Sequence, residues 1–474
     1  MSLLVPPVSP SRRLRTVALG VCAVCVGWGA AGARAGGAPA VTPVPPLATP
    51  VPADDLGQPT PLTDPSGRAL DHFYESLAQT KAGEKKTRVM VFGASHVAGD
   101  GFTSVLRHRL QALYGDAGPG FVVPALPWHN YTHRDVDLGC TDGWRSYWVS
   151  ASHNDDEGLY GLAGCAFESA DRRASCRVAT APKTLFGRSV DEVEIYLWKQ
   201  PRGGHLLVRL DGERRWRRVP TRGREGAPGY ARFQVEAGPH DIELRPKGDG
   251  PVRLFGVSLE RDEPGVVVDS LGINGARASA QLEWDPRIFA EHITRRAPDL
   301  VILAYGTNAI GDDGDPIDRY EARLDLVVSR VRSLVPQASC VYVGPSDRPI
   351  KVKPTPPTGR RARAKWEARR KAERKRLGYD PDLRFLPRPR QGQVIAAQRR
   401  VAHAHGCAYW DWAAMMGGDL SMLRWVRSEP RLGARDYVHF TSAGYARIAA
   451  LFWDALMERL PRTARVDAPP PLFQ

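Results

Sequence analysis

Little in this 474-residue chain is long, repeated or metal-like. The apolar run from about Val17 to Trp28 is broken by glycines and falls short of the ~20 residues that span a bilayer. No internal repeat is present. Cysteines number only seven, and their spacing forms no zinc or iron–sulfur pattern. Acidic residues are outnumbered, 52 against 66 Lys and Arg, for a net +14. That excess is local: Arg360–Arg376 holds ten basic and two acidic residues. A charge so concentrated does not describe a nucleic-acid-binding face. It describes one basic arm, with only Trp366 and Leu377 as large apolar residues and hence no core face as a helix. The arm is either a solvated helix or loop, or a contact for an anionic polymer or membrane surface.

The amino-terminal stretch combines Arg12, Arg13 and Arg15, the short apolar run, and the small-residue site Ala33-Arg34-Ala35. This is the pattern of a secretory signal peptide over residues 1–35, and it predicts a periplasmic or extracellular product. Val21 before Cys22 is too large for a good lipoprotein site. Residues 36–64 are rich in proline, alanine and threonine and predict a disordered linker. Five cysteines remain beyond the leader: Cys140, Cys165, Cys176, Cys340 and Cys407. An oxidising compartment favours one disulfide among the first three and a second between Cys340 and Cys407; buried free thiols would give the same sequence.

Two grammars follow. Runs such as "TRVMVFGAS", "GVVVDSLGING", "PDLVILAYGTN", "ASCVYVGPSD" and "CAYWDW" are uniformly apolar and alternate with helical patterns, which predicts a parallel sheet covered on both faces. Its functional loops belong at the carboxyl ends of the strands. Between about Trp128 and Glu263, short alternating runs separated by turn residues predict an antiparallel β-sandwich of jelly-roll type. The resulting division is α/β over 65–127 and 264–464, with the sandwich inserted at 128–263, a basic insertion at 351–390 and a tail at 465–474.

Four strand-end loops carry the chemistry: "GASH" with Ser95, "GINGA" with Gly275, "GTN" with Asn308, and "DYVH" with Asp436 and His439. A serine hydroxyl is a weak nucleophile that needs a base, and the base needs an orienting acceptor. Asp436 and His439 are close enough in sequence for one turn to join them. Backbone N–H groups of Ser95 and Gly275 and the amide of Asn308 would supply an oxyanion hole. His96 either packs the nucleophile loop or lines the pocket, and Asn274 competes with Gly275 for the same space. Trp412, like Trp410 and Trp425, either joins the core or stacks on a sugar. Asp100 and Asp116 read as turn or cap residues.

Serine, glycine, asparagine and Asp-x-x-His in this order resemble the SGNH (GDSL-like) hydrolase family. The resemblance implies a three-layer α/β/α flavodoxin-like domain, Ser95 as nucleophile, Asp436 and His439 as its partners, and no metal or organic cofactor. One departure is Ala94, where the family's Gly-Asp-Ser carries an acid. The stretches "GASHVAGDGFTSVLRHRLQALYGDAGPGF", "GINGA", "GCAYWDW" and "DYVHFTSAGY", with the inserted β-rich region, look like the peptidoglycan O-acetylesterases. That likeness implies an acetylated glycan as substrate, the 6-O-acetyl group of N-acetylmuramic acid first. A lipase or deacetylase of another polysaccharide, and an inactive carbohydrate-binding surface protein, are the alternatives. Oligomeric state is not legible.

Overall fold

The computed structural model describes residues 42–128, 131–150 and 153–461. The signal peptide, Cys22, Cys25 and the 465–474 tail lie outside these. Five strands form a parallel sheet: β1 (Lys86–Gly93), β2 (Gly265–Gly272), β3 (Leu300–Ala304), β4 (Ser339–Val343) and β5 (Ala408–Trp410). Their spatial order is β2-β1-β3-β4-β5. That is the flavodoxin-like order, with a topological switch point between β1 and β3.

Period two along β1 explains the layers. Val89 and Val91 join a buried cluster with Phe73 and Leu77 of α1 (Asp71–Lys81), Leu106 of α2 (Gly101–Tyr114) and Phe452 of the last helix (Ser442–Met457). Met90 and Phe92 point the other way, to Phe289 of α3 (Pro286–Arg296), Val328 of α4 (Ile317–Leu334) and Val394 of the helix Pro389–Ala404. Both faces are therefore covered, which is why these strands read as continuous apolar runs rather than alternating ones.

Between α2 and β2 the chain forms two antiparallel sheets. One contains Val136–Cys140, Cys176–Thr180, His205–Leu210, Arg217–Pro220 and Asp241–Pro246. The other is built on Val190–Lys199, Ala227–Gly238 and Val252–Glu260, with Cys165–Ser169 and Arg145–Trp148 beyond. Inward residues of both, such as Val208, Leu244, Ile195 and Leu254, share one buried cluster that continues into the layer under Phe92. Gly120–Val122 already pairs with Val252–Glu260, so antiparallel pairing begins ahead of Trp128.

Buried ion pairs tie this unit to the parallel sheet. Arg107 of α2 bonds Asp100 at 2.7 Å and Asp135 at 2.5 Å, all three side chains with no exposed surface. Arg296 of α3 reaches Asp269 of β2 at 2.8 Å and also pairs with Glu260. Asp100, expected as a turn or cap residue, does stand at the N-cap of α2 with φ 51°, though its side chain makes no cap bond; its carboxylate anchors Arg107 and accepts from Thr103 and the Arg134 N–H. Asp116 does hold a turn, accepting from the N–H groups of Gly118 and Gly187. Disulfides join Cys140 to Cys176, residues directly opposite in their ladder, and Cys340 to Cys407. Cys165 is left as a buried thiol.

The expected disordered linker is corrected over its described part. Val44 pairs with Phe385, Val51–Pro52 runs parallel to Ser428–Glu429, and Thr63 pairs with Tyr409 at the edge of β5. Leu56 and Leu62 are buried. A proline-rich strap with few apolar residues is held because it covers an open sheet edge, and that groove is invisible in the segment's own composition. The basic arm is a helix, α5 (Arg360–Leu377), with no buried residue. It rises from a two-stranded base, Ile350–Val352 against Arg384–Leu386, and is braced by Arg369 on Asp382 and Arg370 on Asp380. Among the described residues no helix is long and apolar enough to cross a membrane.

Candidate active site

Register assembles the site. Gly93 lies opposite both Gly272 and Ala304, and Ala304 opposite Val343. The loops after β1, β2, β3 and β4 therefore leave the sheet at one level, flanking the switch point. Directly after Gly93 and Ala94 the chain enters one helical turn, Ser95–Ala98, with Ser95 as its first residue. This turn sits hard against β2: a Cβ on Gly272 would lie 2.2 Å from the Ala98 nitrogen. Ser270 clamps the turn further, donating to the Val97 carbonyl at 3.0 Å.

The loop before the last helix brings the base. His439 Nε2 is 2.8 Å from Ser95 Oγ, and its Nδ1 is 2.6 Å from Asp436 Oδ2. The other oxygen of Asp436 accepts the backbone N–H groups of Val438 and His439, each at 2.9 Å. Tyr437 between them adopts φ 62°, the left-handed conformation that turns the chain so tightly. Burial pushes the Asp436 carboxyl up, but the His439 ring and the two N–H groups outweigh it and hold the group well below the usual carboxylate range. An ionised carboxylate only accepts, so Nδ1 carries the ring proton and Nε2 presents its lone pair to the serine.

Across from Ser95, Gly275 stands at the third position of the Ile273–Ala276 turn with φ 76°, a conformation glycine adopts without strain. Nothing lies within 4 Å of where its Cβ would be, so the space above it is open. Asn308 Nδ2 donates to the Ala276 carbonyl at 3.1 Å, which binds the Gly275 and Asn308 loops together and leaves the second amide hydrogen for a ligand. Asn274 is half-buried in the same turn.

Two expected substrate contacts are corrected. His96 is buried; Nδ1 lies 2.9 Å from the Tyr445 hydroxyl and Nε2 3.3 Å from Ser346 Oγ. Burial first, and then the neighbouring His439 and Arg348 charges, bring its pKa to about 3, so the ring is neutral. Trp412 is 2 % exposed and packed on His96, Phe102 and Phe440, so no sugar can stack on it. Trp410 and Trp425 are likewise buried. All three aromatics fill the layer beneath the site because large rings close to strand ends are needed there as core. Tyr445 and Ser346, which hold His96, were not singled out from the sequence, although Ser346 lies in a strand-end loop and Tyr445 in the first turn of the last helix. Among the described residues no group of three His, Cys, Asp or Glu side chains is placed to hold a metal ion.

A serine, an imidazole and a carboxylate in hydrogen-bond series at the switch point of a parallel sheet define a hydrolase of the serine type. Residues 240–447 match the family model described as GDSL-like Lipase/Acylhydrolase family. The region from 240 to 447 is thus similar to the GDSL-like acylhydrolases, and the chain is a carboxylic ester hydrolase. The matched segment contains Gly275, Asn308, Asp436 and His439; Ser95 precedes it, because the antiparallel unit separates the nucleophile from the rest. No curated protein matches the sequence. The fold is similar to that of a solved "Peptidoglycan O-acetylesterase in action", with TM-score 0.65 and 24% identity over 84% of this chain and 99% of the other. Matches to a salicylyl-acyltransferase, SsfX3, from a tetracycline biosynthetic pathway (TM-score 0.30, 16% identity, 73% and 98% coverage) and to a family two carbohydrate esterase from Cellvibrio japonicus (TM-score 0.23, 10% identity, 69% and 100% coverage) are too distant to bear on the site.

Proposed function

We propose that this chain is an exported serine esterase that removes O-acetyl groups from a cell-wall glycan, with the 6-O-acetyl group of N-acetylmuramic acid in peptidoglycan as its substrate. The observation that carries the reading is the 2.8 Å contact between Ser95 Oγ and His439 Nε2, with Nδ1 held by Asp436. Ser95 Oγ attacks the acetyl carbonyl as its proton passes to His439 Nε2. The resulting oxyanion takes hydrogen bonds from the N–H groups of Ser95 and Gly275 and from Asn308. Collapse expels the sugar alkoxide, which leaves with the proton from His439. Water, deprotonated by the same ring, then attacks the acetyl-enzyme and releases acetate.

The acetyl and glycan assignments are supported by the fold shared with an O-acetylesterase, and export by the leader-like amino terminus. The helix α5, none of whose residues is buried, offers an anionic polymer or membrane surface a place to bind. Acetate released from O-acetylated peptidoglycan, compared with acetylated xylan and long-chain esters, tests the reading. Fast release from peptidoglycan alone is expected; turnover restricted to long-chain esters would replace it with a lipase.

A further inference from the structure

Four basic side chains, Arg277, Arg348, Arg388 and Lys351, contact the loops of the site or one another's backbone, and they differ in what neutralises them. Arg277 is committed to Asp312 through two hydrogen bonds, at 2.8 and 2.5 Å. Arg388 faces Asp313 at 3.6 Å. Arg348, on the loop leaving β4, and Lys351, on the short strand Ile350–Val352 that follows, make no ion pair among the described residues. Arg348 is half-buried, with Nη1 donating to the Thr307 carbonyl at 2.9 Å, one residue from Asn308. Lys351 Nζ lies 5.2 Å from the centre of the Tyr437 ring, between Asp436 and Val438. The Asp436 charge acts on both, and on Arg348 the charge of Asp312 acts ahead of it, although both Asp312 oxygens are bonded to Arg277. One free cation thus stands beside the oxyanion loop and the other beside the base loop.

A partly desolvated guanidinium without a carboxylate is costly to keep unless a ligand completes it. A single carbonyl occupies little of its five-donor fork, and that fork matches a carboxylate. Asp436 does not complete it, since both its oxygens are committed to His439 and Val438.

From this geometry we infer that the site selects acyl esters carried by an anionic saccharide, whose carboxylate is received by Arg348 and Lys351. The inference rests on the esterase reading for its catalytic sense, but its recognition step can be measured apart from catalysis. Two sources supply the same chemistry, the lactyl carboxylate of a muramic acid freed of its stem peptide, which peptidoglycan otherwise carries there as an amide, and the ring carboxylate of a uronic acid.

The test is calorimetric binding to full-length Ser95→Ala of 6-O-acetyl-N-acetylmuramic acid and of an O-acetylated galacturonic acid, each beside its neutral methylamide. At least one carboxylate form is expected to bind about tenfold tighter than its amide, the scale of a charged hydrogen bond. Which one does so identifies the source. Added Arg348→Gln and Lys351→Gln should each narrow that ratio, and salt should narrow it too. Equal affinity for acid and amide in both pairs overturns the inference. So does a ratio that survives both substitutions, or a loss that strikes acid and amide alike. If the ratio behaves as expected while the unsubstituted protein cleaves no acetyl ester, the esterase reading fails and this one stands.

Discussion

Asp436 divides its labour between two oxygens, one fixed by backbone N–H groups and one on the His439 ring. Replacing it with asparagine keeps the volume but puts a donor where only an acceptor fixes the tautomer. Asp436→Asn should therefore keep its folded circular dichroism and lose turnover on the order of 10⁴-fold, as tautomer loss costs in triad hydrolases. A loss under tenfold in steady-state acetate release would show that the carboxylate is dispensable. Asn308 works differently, because its amide tethers the Gly275 loop and, in the proposed mechanism, donates to the developing charge. Asn308→Ala should lower kcat by roughly 10²–10³. Unchanged kcat would remove Asn308 from the oxyanion hole.

At the scale of elements, the turn that carries Ser95 is placed by the strands it packs between. Gly272 has no room for a methyl group, and the 2.2 Å approach is to backbone, which cannot rotate away. Gly272→Ala should shift the Ser95 turn, destabilise the fold by about 1–3 kcal/mol in denaturant titration, and lower activity with it. Arg107 links α2 to the antiparallel unit through two carboxylates with no exposed surface. Arg107→Met strands both charges, and such a loss costs about 3–5 kcal/mol. A midpoint unchanged in urea would show the pair to be neutral. How much of this was written in the sequence differs by element. β1 to β5, the helix stop at Gly115 and the Ser95, Asn308 and Asp436–His439 loops were legible, because apolar runs and turn residues are local signals. His96 and Trp412 were not, since the side of the loop on which a ring lands depends on helices hundreds of residues away. The 42–64 strap escaped for the same reason, its partners being Phe385, Tyr409 and Ser428.

Across the whole molecule, three buried histidines set the acid limit. Burial, ahead of neighbouring cations, lowers His96 to about 3, His133 to about 4 and His292 to about 3. Each ring in the unfolded chain accepts a proton near 6.5. As pH falls from about 6.5 to 4, the unfolded state therefore gains protons that the folded state refuses, and stability falls by up to about 1.4 kcal/mol per pH unit for each ring. Asp347 acts in the opposite sense: burial raises it to about 6, so the folded state binds its proton first as pH falls through that value. Burial raises Asp454 as well, and three rings outweigh two carboxyls, so Tm should drop steadily between pH 6.5 and 4.5, and a flat or rising Tm would contradict the burial assigned to them. The account as a whole stands on one oxygen being made reactive by one ring. Its most direct test is treatment of the protein with a fluorophosphonate, followed by mass spectrometry of its peptides. The adduct is expected on Ser95 alone, absent in Ser95→Ala and slowed strongly in His439→Ala; a stable adduct on another serine, or none on folded protein, would contradict it.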